Sequence, residues 1–188
     1  MQEETNTGAR WYALQVHPKH ETMVSTLLQY KGYEQYLPTY RAATPGRKKA
    51  TERVLFPGYV FCKITMHPAS PVQGSGKVVT TEGVIRIVGA GRKPIAIEGG
   101  EIEGMQRALE TDSQAEPWPF LAVGDIVEVE AGPLKGIRGS LVSTKGRDLL
   151  VLSVQLLQRS LAVTIDRRMV RAVNPRPVPV AAACAAGA

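Results

Sequence analysis

The feature that most constrains the fold is a run of short apolar segments between residues 121 and 173. Valine, leucine and isoleucine dominate each segment, and turn residues such as Gly132-Pro133 and Lys145-Gly146 separate one segment from the next. Five such segments in roughly fifty residues are typical of a small β-barrel, which closes on itself to remove its edges. The predicted strands are residues 126–130, 139–143, 149–155, 161–165 and 169–173.

The first 110 residues mix strands with helices. Residues 10–16 are rich in aromatic and β-branched side chains and predict a strand. Pro18 suits the first turn of a helix, and Gly32 suits its end. The residues that recur at helical spacing and give one apolar face are Met23, Val24, Leu27, Leu28 and Lys31. Helices are also predicted at 77–81 and 101–110, and strands at 33–37, 55–66, 84–88 and 93–97. The fold class is therefore α+β: a mostly antiparallel sheet in an N-terminal α/β sandwich, then a small SH3-like β-barrel.

The domain boundaries follow from this change of pattern. The first domain is assigned to residues 10–110 and the second to residues 121–173. Residues 111–120 contain two prolines and no periodicity, so we interpret them as a semi-rigid linker. Residues 1–9 and the Pro/Ala-rich residues 174–188 are expected to be disordered.

One stretch stands out within the first domain, Phe56-Pro57-Gly58-Tyr59-Val60-Phe61. Its β-forming residues place it in the strand predicted over residues 55–66. Pro57 lacks a ladder donor and Gly58 permits close approach of another surface, which favours a sheet edge or a bulge. Phe56 and Tyr59 are then either core aromatics or exposed anchors for a partner.

The composition excludes several classes of function. The 23 Lys and Arg residues exceed the 17 Asp and Glu residues, and the net charge of +6 favours a polyanionic partner. The two cysteines and three histidines have neither metal-ligand spacing nor a catalytic arrangement, and no Gly-rich phosphate loop follows a strand. We therefore predict no enzyme activity, no metal and no cofactor. With neither a signal peptide nor an apolar run of about 20 residues, we expect a cytoplasmic protein without a membrane partner.

A set of motifs recurs in order along both halves of the chain. In the first half they are Trp11-Tyr12, Glu21, Pro38, the basic loop of residues 41–53, Phe56-Pro57-Gly58-Tyr59-Val60, Gly83-Val84 through Val88-Gly89, and Lys93-Pro94 with Glu101. In the second half they are Val123-Gly124-Asp125-Ile126-Val127, Gly132-Pro133-Leu134 and Gly136-Ile137-Arg138-Gly139. Together these motifs resemble the NusG family of transcription elongation factors, whose second domain is a KOW barrel. The helix start and the segment 156–160 resemble specialised paralogues of the UpxY and RfaH kind more than the general factor.

The resemblance implies that the first domain docks on the β′ clamp helices of RNA polymerase and reaches the β lobe. Such a bridge would bias the polymerase toward a closed form that resists pausing. The family's polymerase-binding patch maps onto Trp11, Tyr12, Phe56, Pro57, Gly58 and Tyr59. Contacts to upstream DNA or the non-template strand would come from Lys19, His20, Arg41, Arg47, Lys48, Lys49 and Arg53, for which a solvated charge run is the alternative interpretation.

For the second domain, the resemblance implies a protein partner, either the termination factor Rho or a small-subunit ribosomal protein. The residues that map onto this contact are Leu134, Ile137, Leu157 and Arg159, and barrel core is the alternative for the three aliphatic ones. The sequence thus predicts a monomeric transcription elongation and antitermination factor. The alternative is a KOW-type RNA- or ribosome-binding protein with no direct polymerase role, which would leave the first domain without a task.

Overall fold

The computed structural model describes residues 8–42, 50–66, 76–91, 93–111, 115–118, 125–144 and 146–173. Within these residues the chain combines antiparallel sheets with helices packed against them, so the predicted α+β class is confirmed. One helical turn lies at residues 76–79. The other elements of the N-terminal domain are β1 (Arg10–Val16), α1 (Glu21–Tyr30), β2 (Gln35–Tyr36), β3 (Thr39–Ala42), β4 (Thr51–Val54), β5 (Tyr59–Ile64), β6 (Val84–Ile87), β7 (Gly89–Ala90), β8 (Lys93–Pro94) and α2 (Gly99–Thr111).

Strand β1 lies inside a four-stranded antiparallel sheet with the order β2-β5-β1-β6. Neighbouring side chains of a strand point to opposite faces of its sheet. Accordingly Tyr12 belongs to a buried cluster with Val24 and Leu28 of α1, whereas Trp11 belongs to another cluster with Met105 of α2. The two helices therefore cover opposite faces of the sheet.

Two predicted element starts in this domain were wrong by at least three residues. Helix α1 begins at Glu21 rather than at Pro18, because Lys19 has a φ of 68° and no right-handed helix passes through that conformation. Strand β5 begins at Tyr59 rather than at residue 55. The residues before it form a turn in which the Tyr59 N–H donates to the Phe56 carbonyl oxygen at 3.1 Å.

Two paired strands flank the predicted basic loop. Strands β3 and β4 pair antiparallel, with Arg41 opposite Glu52 and Tyr40 opposite Arg53. Residues 43–49, which include Arg47, Lys48 and Lys49, lie outside the described residues.

The C-terminal β domain is one six-stranded antiparallel sheet with the order β14-β10-β11-β12-β13-β9. The five strands predicted from the apolar segments are all present. The additional strand, β9, comes from the predicted linker and pairs with β13, with Trp118 opposite Ser160. The strands are β9 (Glu116–Trp118), β10 (Asp125–Val129), β11 (Arg138–Thr144), β12 (Arg147–Val154), β13 (Arg159–Thr164) and β14 (Val170–Ala172).

The two domains share one hydrophobic cluster. Trp11, Phe56 and Met105 of the N-terminal domain belong to the same buried cluster as Ile137 and Leu152 of the C-terminal β domain. Helix α2 packs directly on β12. The domains are therefore in contact, in what we call the closed arrangement.

Candidate functional site

The turn before β5 is held rigidly by the start of α1. Gly58 has a φ of +86°, which favours glycine, and its N–H donates to Oε1 of Glu21 at 2.7 Å. The Gly58 carbonyl oxygen accepts from the Val16 N–H at 2.9 Å. Glu21 is buried, with 6% of its surface exposed, so this carboxylate replaces water as the partner of the turn. The positions of Phe56 and Tyr59 are fixed as a result.

The aromatic side chains of this turn point toward the shared cluster. Phe56 is 1% exposed and stacks edge to face on Phe61, with ring centroids 5.9 Å apart. Tyr59 is half-buried and packs against the same cluster, and Trp11 is 8% exposed within it. Tyr12 lies in the other cluster, behind the sheet. The fold thus assigns Trp11, Phe56 and Tyr59 to one cluster and Tyr12 to the other.

The second domain faces these aromatics with the residues predicted for its own partner. A cavity of about 320 Å³ is lined by Leu55 and Phe56 on one side and by Leu157 and Arg159 on the other. The Arg159 guanidinium lies 5.8 Å from the centre of the Tyr59 ring, within the range of a cation–π contact. The two sets of predicted binding residues therefore meet across the domain interface.

The remaining predicted partner residues lie against helix α2. Leu134 is 6% exposed and Ile137 is 8% exposed, both within the shared cluster. A Cβ on Gly104 would lie 3.4 Å from Cγ2 of Ile137, so the absence of a side chain there lets α2 approach the β domain. The Arg107 guanidinium donates to the carbonyl oxygens of Pro133, at 2.5 Å, and Lys135, at 2.9 Å.

Sequence reasoning missed these α2 contacts. Gly104 inside a predicted helix was the available signal, because an interior helical glycine often marks close packing. Glu101, at the start of α2, also accepts from the Gln155 N–H of the β domain at 3.5 Å. Burial, followed by the charge of Glu98, raises the pKa of the Glu101 carboxyl, while the Gln155 hydrogen bond opposes that rise.

Four of the basic residues predicted to contact nucleic acid are described by the structure, and they do not form a single patch. Lys19 and Arg53 line one cavity of about 480 Å³ beside Tyr40 and the Pro57-Gly58 turn. Arg41 lines a different cavity. His20 is exposed at the start of α1, with Nδ1 3.1 Å from the Pro18 carbonyl oxygen. The structure therefore groups Lys19 with Arg53 and separates Arg41 from them.

The described residues offer little for bond chemistry. In the ranges that the structure covers, no group of three or more His, Cys, Asp and Glu side chains is arranged to hold a metal ion. Cys62 is buried, and burial raises the pKa of its thiol to about 12. The Tyr36 hydroxyl has its pKa raised by burial and by the charge of Glu110. None of the helices described here has the length and hydropathy needed to cross a bilayer.

Comparison with known proteins identifies the family. The family model described as transcription termination factor NusG matches residues 9–106, just over half of the chain. The chain belongs to the NusG family. This family consists of transcription factors and not enzymes, so the prediction that the chain is not an enzyme is confirmed.

Curated relatives extend the similarity over both domains of this NusG-family chain. It is 27% identical to the transcription termination/antitermination protein NusG of Vibrio vulnificus over 172 residues, which cover 84% of this chain and 92% of the relative. The Pasteurella multocida protein of the same name is also 27% identical, with 91% and 99% covered. A solved structure titled "Domain interaction in Thermotoga maritima NusG" aligns at 19% identity and a TM-score of 0.48, covering 88% of this chain and 98% of that one.

Proposed function

We propose that this protein is a transcription elongation and antitermination factor that binds RNA polymerase through its N-terminal domain. The observation that carries the proposal is the turn, fixed by Glu21, that holds Phe56 and Tyr59 in or against the cluster to which Trp11 belongs. A partner helix tip needs a fixed apolar patch of this kind, because preorganised aromatic anchors contribute most of the energy of such interfaces. The names of the curated relatives support the same role.

Polymerase binding then requires the domains to separate. In the closed arrangement the β domain covers Phe56, and Arg159 lies against Tyr59. One surface cannot contact the β domain and the β′ clamp helices at the same time. Opening would also uncover Leu134 and Ile137, the residues that we assign to Rho or a small-subunit ribosomal protein, so polymerase and the second partner would both select the open form.

A second part of the proposal concerns DNA. Lys19 and Arg53 share one cavity with the half-buried ring of Tyr40. Two cations beside an aromatic face form a suitable contact for an extended single strand, because phosphates and bases are bound by different parts of the site. We assign this cavity to the non-template strand or upstream DNA.

The test is retention of bacterial core RNA polymerase by the full chain and three variants. Gly104→Leu is designed to open the interface and should increase retention over the wild type. Adding Tyr59→Ala to Gly104→Leu should remove that gain, whereas adding Tyr30→Ala should not, because Tyr30 is 92% exposed and far from the patch in sequence. Circular dichroism confirms that each variant is folded.

The proposal is overturned if neither the wild type nor Gly104→Leu retains polymerase. Salt-sensitive binding of the same samples to RNA or to ribosomes would then favour a KOW-type RNA- or ribosome-binding protein instead.

A further inference from the structure

A groove of about 700 Å³ runs between the two domains, on the α2 side of their interface. The N-terminal domain contributes Ile95 and Ile97 to its walls, and the β domain contributes Ile126 and Leu156. Ile97 is 4% exposed, but Ile95 is 39% exposed and Ile126 is 51% exposed. The groove therefore presents apolar surface from both domains to solvent, which suits an apolar occupant.

The groove also carries uncompensated negative charge. Glu98 and Glu101 both line it, and in the part of the chain that the structure describes neither forms an ion pair. Arg138 lines the opposite wall, but its guanidinium is 2.9 Å from Oε2 of Glu128 and is neutralised there. Charge complementarity therefore favours an occupant with a cation next to apolar side chains.

The C-terminal end of the described chain is hydrogen-bonded to a residue of the groove wall. The Val173 N–H donates to the carbonyl oxygen of Ile126 at 2.9 Å. The chain continues from there as Asn174-Pro175-Arg176-Pro177-Val178-Pro179-Val180, and Arg176 is the one charged side chain among residues 174–188. Three residues of extended chain reach about 10 Å, which brings Arg176 within range of the groove.

The composition of this segment suits docking better than independent folding. It is too poor in large apolar residues to form a core of its own. Its three alternating prolines favour an extended backbone, which lowers the conformational entropy lost when it binds a surface. Val178 and Val180 have apolar side chains, and Arg176 carries a positive charge.

We propose that residues 174–180 fold back into the interdomain groove of their own chain, with Arg176 between Glu98 and Glu101 and the valines on Ile95 and Ile126. Because the groove has one wall from each domain, an occupied groove connects the domains across their interface. The segment thus stabilises the closed arrangement. This inference rests on the interface itself and not on the proposed polymerase binding.

The test is methyl NMR of the full chain with labelled isoleucine and valine. We expect nuclear Overhauser cross-peaks between the methyl groups of Ile126 or Ile95 and those of Val178 or Val180. Arg176→Glu should remove them, and adding Glu98→Arg should return them at least in part. Arg168→Glu is the matched control, because it makes the same charge change at an exposed residue before Val173 and should leave the cross-peaks unchanged.

A truncated chain ending at Val173 gives an independent readout. Its Ile95 and Ile126 methyl resonances should shift from their positions in the full chain. The proposal is wrong if the cross-peaks are absent and truncation leaves those resonances in place, or if Arg168→Glu acts like Arg176→Glu. Cross-peaks that appear only between differently labelled chains would assign the groove to the tail of a second copy and would overturn the intramolecular proposal.

Discussion

The Arg159 guanidinium of the β domain lies 5.8 Å from the ring of Tyr59 in the N-terminal domain. Each residue was predicted to bind a different external partner, yet in the closed arrangement they contact each other. The contact therefore links the availability of one binding surface to that of the other.

Replacing Arg159 with alanine should increase the open population. A cation–π contact at an exposed site contributes roughly 0.5–1 kcal/mol, so we expect roughly a two- to fivefold rise in the ratio of open to closed forms. The Ile137 methyl resonances, referenced to Gly104→Leu as the open limit, measure this ratio. Arg147→Ala is the control, because Arg147 is exposed at the start of β12; an equal response to both changes would contradict the role assigned to Arg159.

A large side chain at residue 104 should separate the domains. Even a Cβ there would touch Ile137 at 3.4 Å and Leu152 at 3.8 Å, so the branched side chain of Gly104→Leu has no space unless α2 moves away from the β domain. Small-angle X-ray scattering should show a larger radius of gyration with an unchanged helical signal in circular dichroism. Gly100→Leu serves as the control, because a Cβ at Gly100 has no neighbour within 4 Å among the described residues. Equal radii of gyration for the two variants would show that a large side chain at residue 104 does not separate the domains.

Loss of the Glu21 carboxylate should destabilise the N-terminal domain. The Gly58 N–H would lose its acceptor in a buried place, at a cost of about 1–3 kcal/mol. We expect Glu21→Ala to lower the free energy of unfolding, measured by urea denaturation, by that amount and Glu21→Gln, which keeps an acceptor oxygen, to lower it less. Glu103→Ala, on the exposed face of α2, should have a smaller effect than either. If Glu21→Gln is as unstable as Glu21→Ala, the hydrogen bond is not the cause.

Acid should stabilise the folded chain through Glu101. Burial raises the pKa of its carboxyl, the Gln155 hydrogen bond opposes that rise and the charge of Glu98 adds to it, so the folded form binds the proton more tightly than the unfolded chain does. The stabilisation is fully present below the ordinary pKa of a glutamate and is lost as the pH rises through the raised value. Glu101→Gln should remove this pH dependence and raise the free energy of unfolding at pH 7, as measured by urea denaturation between pH 4 and 7. A pH profile that persists in Glu101→Gln would assign it to another group.

Charge reversal at Lys19 and Arg53 should weaken DNA binding. Removing two phosphate contacts should reduce the affinity for single-stranded DNA and the dependence of that affinity on salt by about two ions. Fluorescence anisotropy at several salt concentrations measures both quantities for the doubly reversed variant. Lys77→Glu, at an exposed lysine outside this cavity, should change the affinity only slightly; equal losses would indicate a general effect of net charge.

Local patterns predicted most of the elements. Short apolar segments separated by turn residues gave the five strands of the β domain, and the 3.6-residue period gave both helices, because each pattern reports burial. The start of α1 was misplaced because Pro18 is compatible with a helix, whereas the positive φ of Lys19 depends on the chain around it. Strand β9 was missed because three residues with a proline have no periodicity, and their pairing with β13 is a tertiary contact.

The contact between the two domains could not be predicted from the sequence, because it too is a tertiary contact. Burial of Phe56 and Ile137 is consistent with either of the two interpretations open from the sequence, a domain core or a partner surface. In the closed arrangement both descriptions hold, because each domain serves as the partner of the other. Only the three-dimensional position of α2 against β12 distinguishes these cases.

Strand β9 also sets the length of the tether between the domains. While β9 remains paired with β13, the chain between Thr111 at the end of α2 and Glu116 at the start of β9 spans at most about 17 Å. A tether this short keeps an undocked β domain at an effective concentration in the millimolar range or above near the N-terminal domain. A partner present at micromolar concentration must compete with this tethered β domain for the same surface. Even weak contacts between the domains therefore raise the affinity that a partner needs in order to bind.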